Sequence, residues 1–157
     1  MKIKGILYLD TVNYKKICLT LMMPYCSFKC GKDLCQNSDL AQAPIYDVDD
    51  NNLLYMYCSS PIIEALCFQG LEPMDSFDEL INFIKLFRQK KEDDIVIYTG
   101  YTKEELEEKG YLTKLKEFGI LNIVIKYERF IPNQKSHFDE VLGVVLASEN
   151  QYAERIC

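Results

Sequence analysis

Ser76-Phe-Asp-Glu-Leu-Ile-Asn-Phe-Ile-Lys-Leu-Phe-Arg-Gln-Lys-Lys-Glu-Asp-Asp-Ile-Val-Ile-Tyr-Thr99 changes hydrophobic period partway along its length. In the first half, Phe77, Leu80, Ile81, Ile84 and Phe87 share one helical face. Ser76 and Glu79 have the spacing of a capping box, and Lys85, Arg88, Lys90 and Lys91 complement the negative end of the helix dipole. Asp94 to Thr99 is a short β-branched run, which predicts a buried strand. A helix followed directly by such a strand is half of a βαβ unit.

The same alternation extends outward in both directions. On the N-terminal side, Ile17 to Met23 and Ile62 to Phe68 predict strands, and Asn51 to Ser59 predicts a helix. Gln36 to Asp50, polar and containing Pro44, reads as an irregular connection. On the C-terminal side, Thr102 and Glu105 repeat the capping-box spacing. They open a helical region that is interrupted near Gly110 and ends by Gly119. Leu121 to Tyr127 predicts another strand, and Val141 to Leu146 a short last one. This order predicts an α/β fold with a mainly parallel sheet in a single domain over residues 1–157.

The chain has 157 residues. It holds about five βα repeats of roughly 30 residues, too few for a closed eight-unit barrel of about 250. A net charge of −6 disfavours broad nucleic-acid binding, which needs clustered Lys and Arg. The longest apolar runs, Ile17 to Met23 and Val141 to Ala147, fall far short of the ~20 residues of a spanning helix. Met1-Lys-Ile-Lys-Gly5 lacks the apolar core of a secretion signal. The expected location is the cytoplasm, with neither membrane nor nucleic acid as a partner.

Seven cysteines in such a chain disfavour a disulfide framework and leave metal binding, thiol chemistry or burial. Cys26, Cys30 and Cys35 lie within ten residues, directly after a predicted strand, where α/β folds bind ligands. Three thiolates can hold three irons of a [4Fe–4S] cluster and leave the fourth open. The alternative is zinc with a fourth ligand from His137, Cys67 or Cys58, although the second cysteine pair usual at such sites is missing. Spacing alone leaves both readings open. Cys18 and Cys67 in predicted strands and Cys58 in a predicted helix are expected to be buried, and Cys157 exposed. His137 is expected on a surface loop. Lys126, Tyr127 and Arg129 can line the cofactor side of the last long strand, although Lys and Arg at strand ends are usually solvated.

Three segments together resemble the small radical S-adenosylmethionine activases: the three-cysteine loop, Gly70-Leu-Glu-Pro73, and Tyr98-Thr-Gly-Tyr-Thr-Lys-Glu-Glu-Leu106. The resemblance runs from about Ile17 through Arg129, with a weaker echo at Ser148-Glu-Asn-Gln151. It is greatest to the branch that serves anaerobic ribonucleoside-triphosphate reductase. The chain departs from the family pattern in two places. Its loop is C-x3-C-x4-C where the family has C-x3-C-x2-C, and Leu71 stands where the family has a second glycine.

The resemblance implies a shortened, open, partial TIM-like barrel whose missing units leave a lateral opening. It implies that Cys26, Cys30 and Cys35 ligate a [4Fe–4S] cluster whose fourth iron binds S-adenosylmethionine. Carbonyls of Gly70, Leu71 and Glu72 would accept from the methionine ammonium, with the Thr99 hydroxyl near the cofactor and Leu34 and Phe28 packing on the cluster or the adenine. The implied partners are a glycyl-radical enzyme, anaerobic ribonucleoside-triphosphate reductase above all, and a one-electron reductant such as flavodoxin or ferredoxin. For Leu71 the role requires backbone angles open to a residue with a Cβ. Each segment also has a plain structural reading, Glu72-Pro73 as a strand-to-helix turn and Thr102 as a helix cap.

Overall fold

The computed structural model describes residues 1–31, 34–117 and 121–157. In chain order the elements are β1 (Lys2–Ile3), β2 (Gly5–Asp10), β3 (Cys18–Met23), α1 (Ser38–Gln42), β4 (Tyr46–Asp47) and α2 (Asp50–Cys58). They continue with β5 (Ala65–Gly70), a 3-10 turn (Pro73–Ser76), α3 (Phe77–Arg88), β6 (Asp94–Tyr98), α4 (Lys103–Glu108) and α5 (Tyr111–Glu117). The last are β7 (Ile123–Tyr127), β8 (His137–Asp139), β9 (Val144–Leu146) and β10 (Tyr152–Arg155).

The main sheet has the order β10-β7-β6-β5-β3-β2. Its four central strands are parallel. The edge strands β2 and β10 are antiparallel to their neighbours and lie at opposite ends, so the sheet is open. Parallel strands bury both faces, and the alternation of side chains divides their residues between two cores. Leu19, Leu66, Phe68, Ile97 and Ile125 face the helices, packing with Leu80, Ile84 and Phe87 of α3. Cys18, Cys67, Val96 and Val124 face the other way and are covered by Tyr14, Leu142 and Leu146. The β2–β3 connection and the segment around the β8–β9 hairpin thus pack against this face of the sheet.

The elements at the centre of the chain follow the hydrophobic pattern, while their ends shift for local reasons. Ile62 and Leu121 are exposed, and the strands begin later, at Ala65 and Ile123. The connection from Gln36 to Asp50 contains α1 and β4. The strand expected last, over Val141 to Leu146, is only Val144–Leu146; it pairs with β8, which contains His137, outside the main sheet, and β10 follows it. The Thr102 capping box forms with both of its bonds, and Gly110, at φ +70°, separates α4 from α5. The expected helix end at Gly119 lies outside the described residues.

The capping box at Ser76 does not form. The turn begins earlier, at Pro73, so Ser76 is its last residue and its buried hydroxyl has no partner among the described residues. Glu79 instead accepts from the backbone N–H of Lys2 at 3.1 Å. The cap moves back to Glu72, whose carboxylate accepts from the Met74 N–H at 3.0 Å.

Phe87 is fully buried and meets Tyr57 edge to face at 4.8 Å, tying α3 to α2. Replacing Phe87 by Ala is expected to cost about 3–5 kcal/mol of unfolding free energy, because it removes a large buried side chain and leaves a cavity. Urea denaturation of the two proteins measures the difference.

Candidate functional site

Because β3, β5, β6 and β7 are parallel, the segments that leave them meet at one edge of the sheet, the place where open α/β sheets bind ligands. There the chain forms a cleft of about 360 Å³ whose lining includes Cys26, Cys30, Cys35 and Leu34. Gly70, Leu71, Glu72 and Thr99 line it as well, as do Lys126 and Arg129. Phe28 is not among the lining residues.

The cysteine loop is tied to this edge by polar contacts. The Glu72 N–H donates to the Tyr25 carbonyl at 2.8 Å, and the Ser27 N–H donates to Asp75 at 2.6 Å. The other Asp75 oxygen accepts from the Tyr101 hydroxyl at 2.6 Å. On the far side of the loop, the Asn37 amide donates to the Gly70 carbonyl at 2.8 Å. Phe28, between the first two thiols, and Gly31, just after the second, have positive φ, which lets the loop curl there.

The position that requires glycine is Gly70. Its φ is +103°, and a Cβ there would lie 2.9 Å from the Met23 nitrogen. Leu71 is absent from the positive-φ residues, so its side chain brings no such strain. Its N–H donates to the Met23 carbonyl at 3.3 Å. The departure at residue 71 thus falls where a Cβ is tolerated.

Glu72 is 5% exposed and holds the ends of β5 and β6 together. Besides the Met74 N–H, its carboxylate accepts from the Thr99 hydroxyl at 2.6 Å and from the Gly100 N–H at 2.8 Å. The Thr99 hydroxyl is therefore engaged with Glu72, and it also accepts from the Tyr101 N–H at 3.1 Å. Burial pushes the Glu72 carboxyl up to about 7, against the pull of its three donors.

All three loop thiols are free and half-buried. Burial pushes Cys26 up to about 11, opposed by the Phe28 N–H that donates to its sulfur at 3.2 Å. Metal binding must therefore displace a proton there. Among the described residues no three Cys, His, Asp or Glu side chains are gathered closely enough to hold a metal ion. The donor set nonetheless fits iron and sulfide, since three thiols share one cleft and no other cysteine lines it.

The possible zinc partners lie elsewhere. His137 is in β8, Cys67 is fully buried within the sheet, and none of His137, Cys67 and Cys58 lines the cleft. Cys58, expected to be buried, is exposed at the last turn of α2, and Cys157, expected to be exposed, packs partly against the core. Arg129 is partly buried and pairs with Glu105 at 2.8 Å. Lys126 takes the cofactor-side alternative and not the solvated one, buried in the cleft wall at 7% exposure. The signal available was its place in the β-branched run, two residues after Val124 and so on the same face.

A family model described as a 4Fe-4S single cluster domain matches residues 15–142, most of the chain. No curated protein and no solved structure matches significantly.

The raised Glu72 carboxyl has a stability consequence. The folded chain holds this proton up to about pH 7, while the unfolded chain releases it near 4.5, so the contribution is present at low pH and lost as pH rises through 7. The stability advantage of the natural protein over Glu72→Gln should shrink between about pH 5 and 7 and then level off. Chemical denaturation of both proteins across that range measures it, and an advantage that grows with pH contradicts it.

Proposed function

The chain belongs to the 4Fe-4S single cluster domain family, and from that premise we propose that it is a radical S-adenosylmethionine activating enzyme that generates a glycyl radical on a partner protein. The observation that carries this reading is the count of thiols in the cleft, three with no other cysteine beside them. A cluster held by three protein thiolates keeps one iron free for a small molecule, whereas an electron carrier normally fills all four positions with cysteine. When bound, the reduced cluster supplies the electron that cleaves S-adenosylmethionine into methionine and a 5′-deoxyadenosyl radical.

The residues of the chain hold and orient. Cys26, Cys30 and Cys35 ligate the cluster as thiolates. Around the turn at Gly70, Leu71 and Glu72, backbone carbonyls accept from the ligand's ammonium, with the turn fixed by the positive φ of Gly70 and the three bonds of Glu72. Thr99 serves through Glu72, and Leu34, 48% exposed at the mouth, covers the cluster from water. This arrangement suits a partial radical S-adenosylmethionine barrel, open because its outer units are missing.

A glycine-bearing loop of the partner reaches the cleft from the strand-end side, since Tyr14, Leu142 and Leu146 fill the inner face below it. By the resemblance, that partner is anaerobic ribonucleoside-triphosphate reductase, and the electron comes from flavodoxin or ferredoxin.

Anaerobically reconstituted protein is expected to take up four iron and four sulfide per chain and to release 5′-deoxyadenosine from S-adenosylmethionine on reduction. Cys30→Ala should lose both cluster and cleavage. A full cluster with no cleavage would make the chain an electron carrier or a structural module, and cleavage by Cys30→Ala would remove Cys30 from the ligand set.

A further inference from the structure

Three cations converge on one aromatic ring beside the cysteine loop. The Lys29 ammonium lies 4.7 Å from the centroid of the Tyr101 ring, the Arg129 guanidinium 5.4 Å and the Lys109 ammonium 5.5 Å. Tyr101 itself is buried, and its hydroxyl donates to Asp75 at 2.6 Å. Lys29 directly precedes Cys30, and both Lys29 and Arg129 line the cleft that holds the thiols. The ring attracts each cation, while the three like charges repel one another.

Two carboxylates answer these three cations. Glu105 pairs with Arg129 at 2.8 Å and with Lys29 at 3.4 Å, and Asp75 is taken by the Ser27 N–H and the Tyr101 hydroxyl. Lys109 is exposed, faces the rings of Tyr101 and Tyr111, and has no ion pair among the described residues. The other acids of α4 lie elsewhere. The charges of Glu104 and Glu107 act on Tyr152 and Tyr127, on the β10 side of the helix. Glu108, next to Lys109 in sequence, does not share its face.

The patch is therefore net positive in a chain whose net charge is −6. An acidic protein surface is repelled by the chain as a whole and attracted here, so the patch fixes the orientation in which such a partner approaches. That orientation sets the partner against the loop that carries Cys26 and Cys30. Proximity to the loop matters most to a partner that exchanges electrons with the centre, because electron transfer weakens steeply with distance. A glycine-bearing loop, by contrast, has to enter the cleft, not rest on its rim.

We propose that Lys29, Lys109 and Arg129 around Tyr101 form the docking surface for a small acidic one-electron carrier protein. One electron leaves the carrier, which is oxidised by that amount, and the cluster gains it; no bond forms or breaks and no proton moves. The proposal rests on the reading that the three thiols hold a [4Fe–4S] cluster, and it adds the surface from which that cluster is reduced.

The test compares two reductants of the cluster-loaded chain by stopped-flow absorbance. Reduced flavodoxin serves as the acidic carrier, and reduced methyl viologen as a small cation that needs no docking surface. Both are mixed with the natural protein, with Lys109→Glu and with Lys29→Gln. In the natural protein, reduction by flavodoxin should slow as salt rises. Lys109→Glu should slow it by roughly 10-fold at low ionic strength, the lower end of electrostatic steering, and Lys29→Gln by less. Both differences should close at high salt. Neither variant should be slowed with methyl viologen. An iron content equal to that of the natural chain shows that a variant is folded and loaded, and should one variant fail to load, the other gives the same comparison. Undiminished reduction by flavodoxin in the variants, or equal slowing with both reductants, overturns the docking surface and leaves the functional reading standing. Undiminished reduction with a loss of radical formation on the partner enzyme gives the patch to that enzyme and overturns the proposal as well. If the natural chain takes up no cluster, the functional reading falls and the docking surface falls with it.

Discussion

Glu72 places an acid group where an unsatisfied one would be expensive, almost wholly out of water, and surrounds it with the Met74 N–H, the Gly100 N–H and the Thr99 hydroxyl. Those donors come from the turn after β5 and the segment after β6, so one carboxylate sets the distance between two strand ends. The same residue reaches the cysteine loop through its backbone, by donating to the Tyr25 carbonyl, and Asp75 reinforces the link by accepting from Ser27 and Tyr101. The cleft is thus shaped by a short polar chain that runs from the loop through the turn to β6. Gly70 lets the turn start at all, because a Cβ there would collide with the backbone of β3.

What could be read from the residues tracks the physical source of the signal. The α3 stripe was legible because burial of one face imposes a period on it, and the runs that became β3, β6 and β7 because burial of both faces makes them continuously apolar. The edge strands were not. In β2, Leu7, Tyr8 and Leu9 are all exposed around a register shift near a positive-φ Leu9, so no alternation survives. In β10, Tyr-Ala-Glu-Arg is too short and polar to stand out, and only its pairing with β7 makes it a strand. Ser76 shows the limit of a local motif, since a capping box needs its first residue outside the helix and the turn from Pro73 takes that place. The cysteine cluster and the Gly70 turn were visible as residue types at a spacing. The sequence left Lys126 between the cofactor side and solvent, because burial of a charge is a tertiary fact.

The site reuses ordinary fold chemistry for a demanding cofactor. Parallel strands bring four loops to one edge, and that edge carries both the three thiols and a buried cation. Helices α2 and α3 cover one face of the sheet, and Tyr14, Leu142 and Leu146 cover the other, so the strand-end side is left as the approach to the cleft. Loading the centre removes a proton from Cys26, which burial has made reluctant to ionise, so iron uptake should stabilise the loop and release acid together.

The central claim is that three thiolates hold the cluster and leave one iron for an exchangeable ligand. Mössbauer spectroscopy of the chain loaded with iron-57, recorded before and after adding S-adenosylmethionine, tests it directly. The account predicts that one iron in four changes its isomer shift and quadrupole splitting on addition, while the remaining three keep their thiolate signature. Four irons that remain alike with and without the ligand would contradict it.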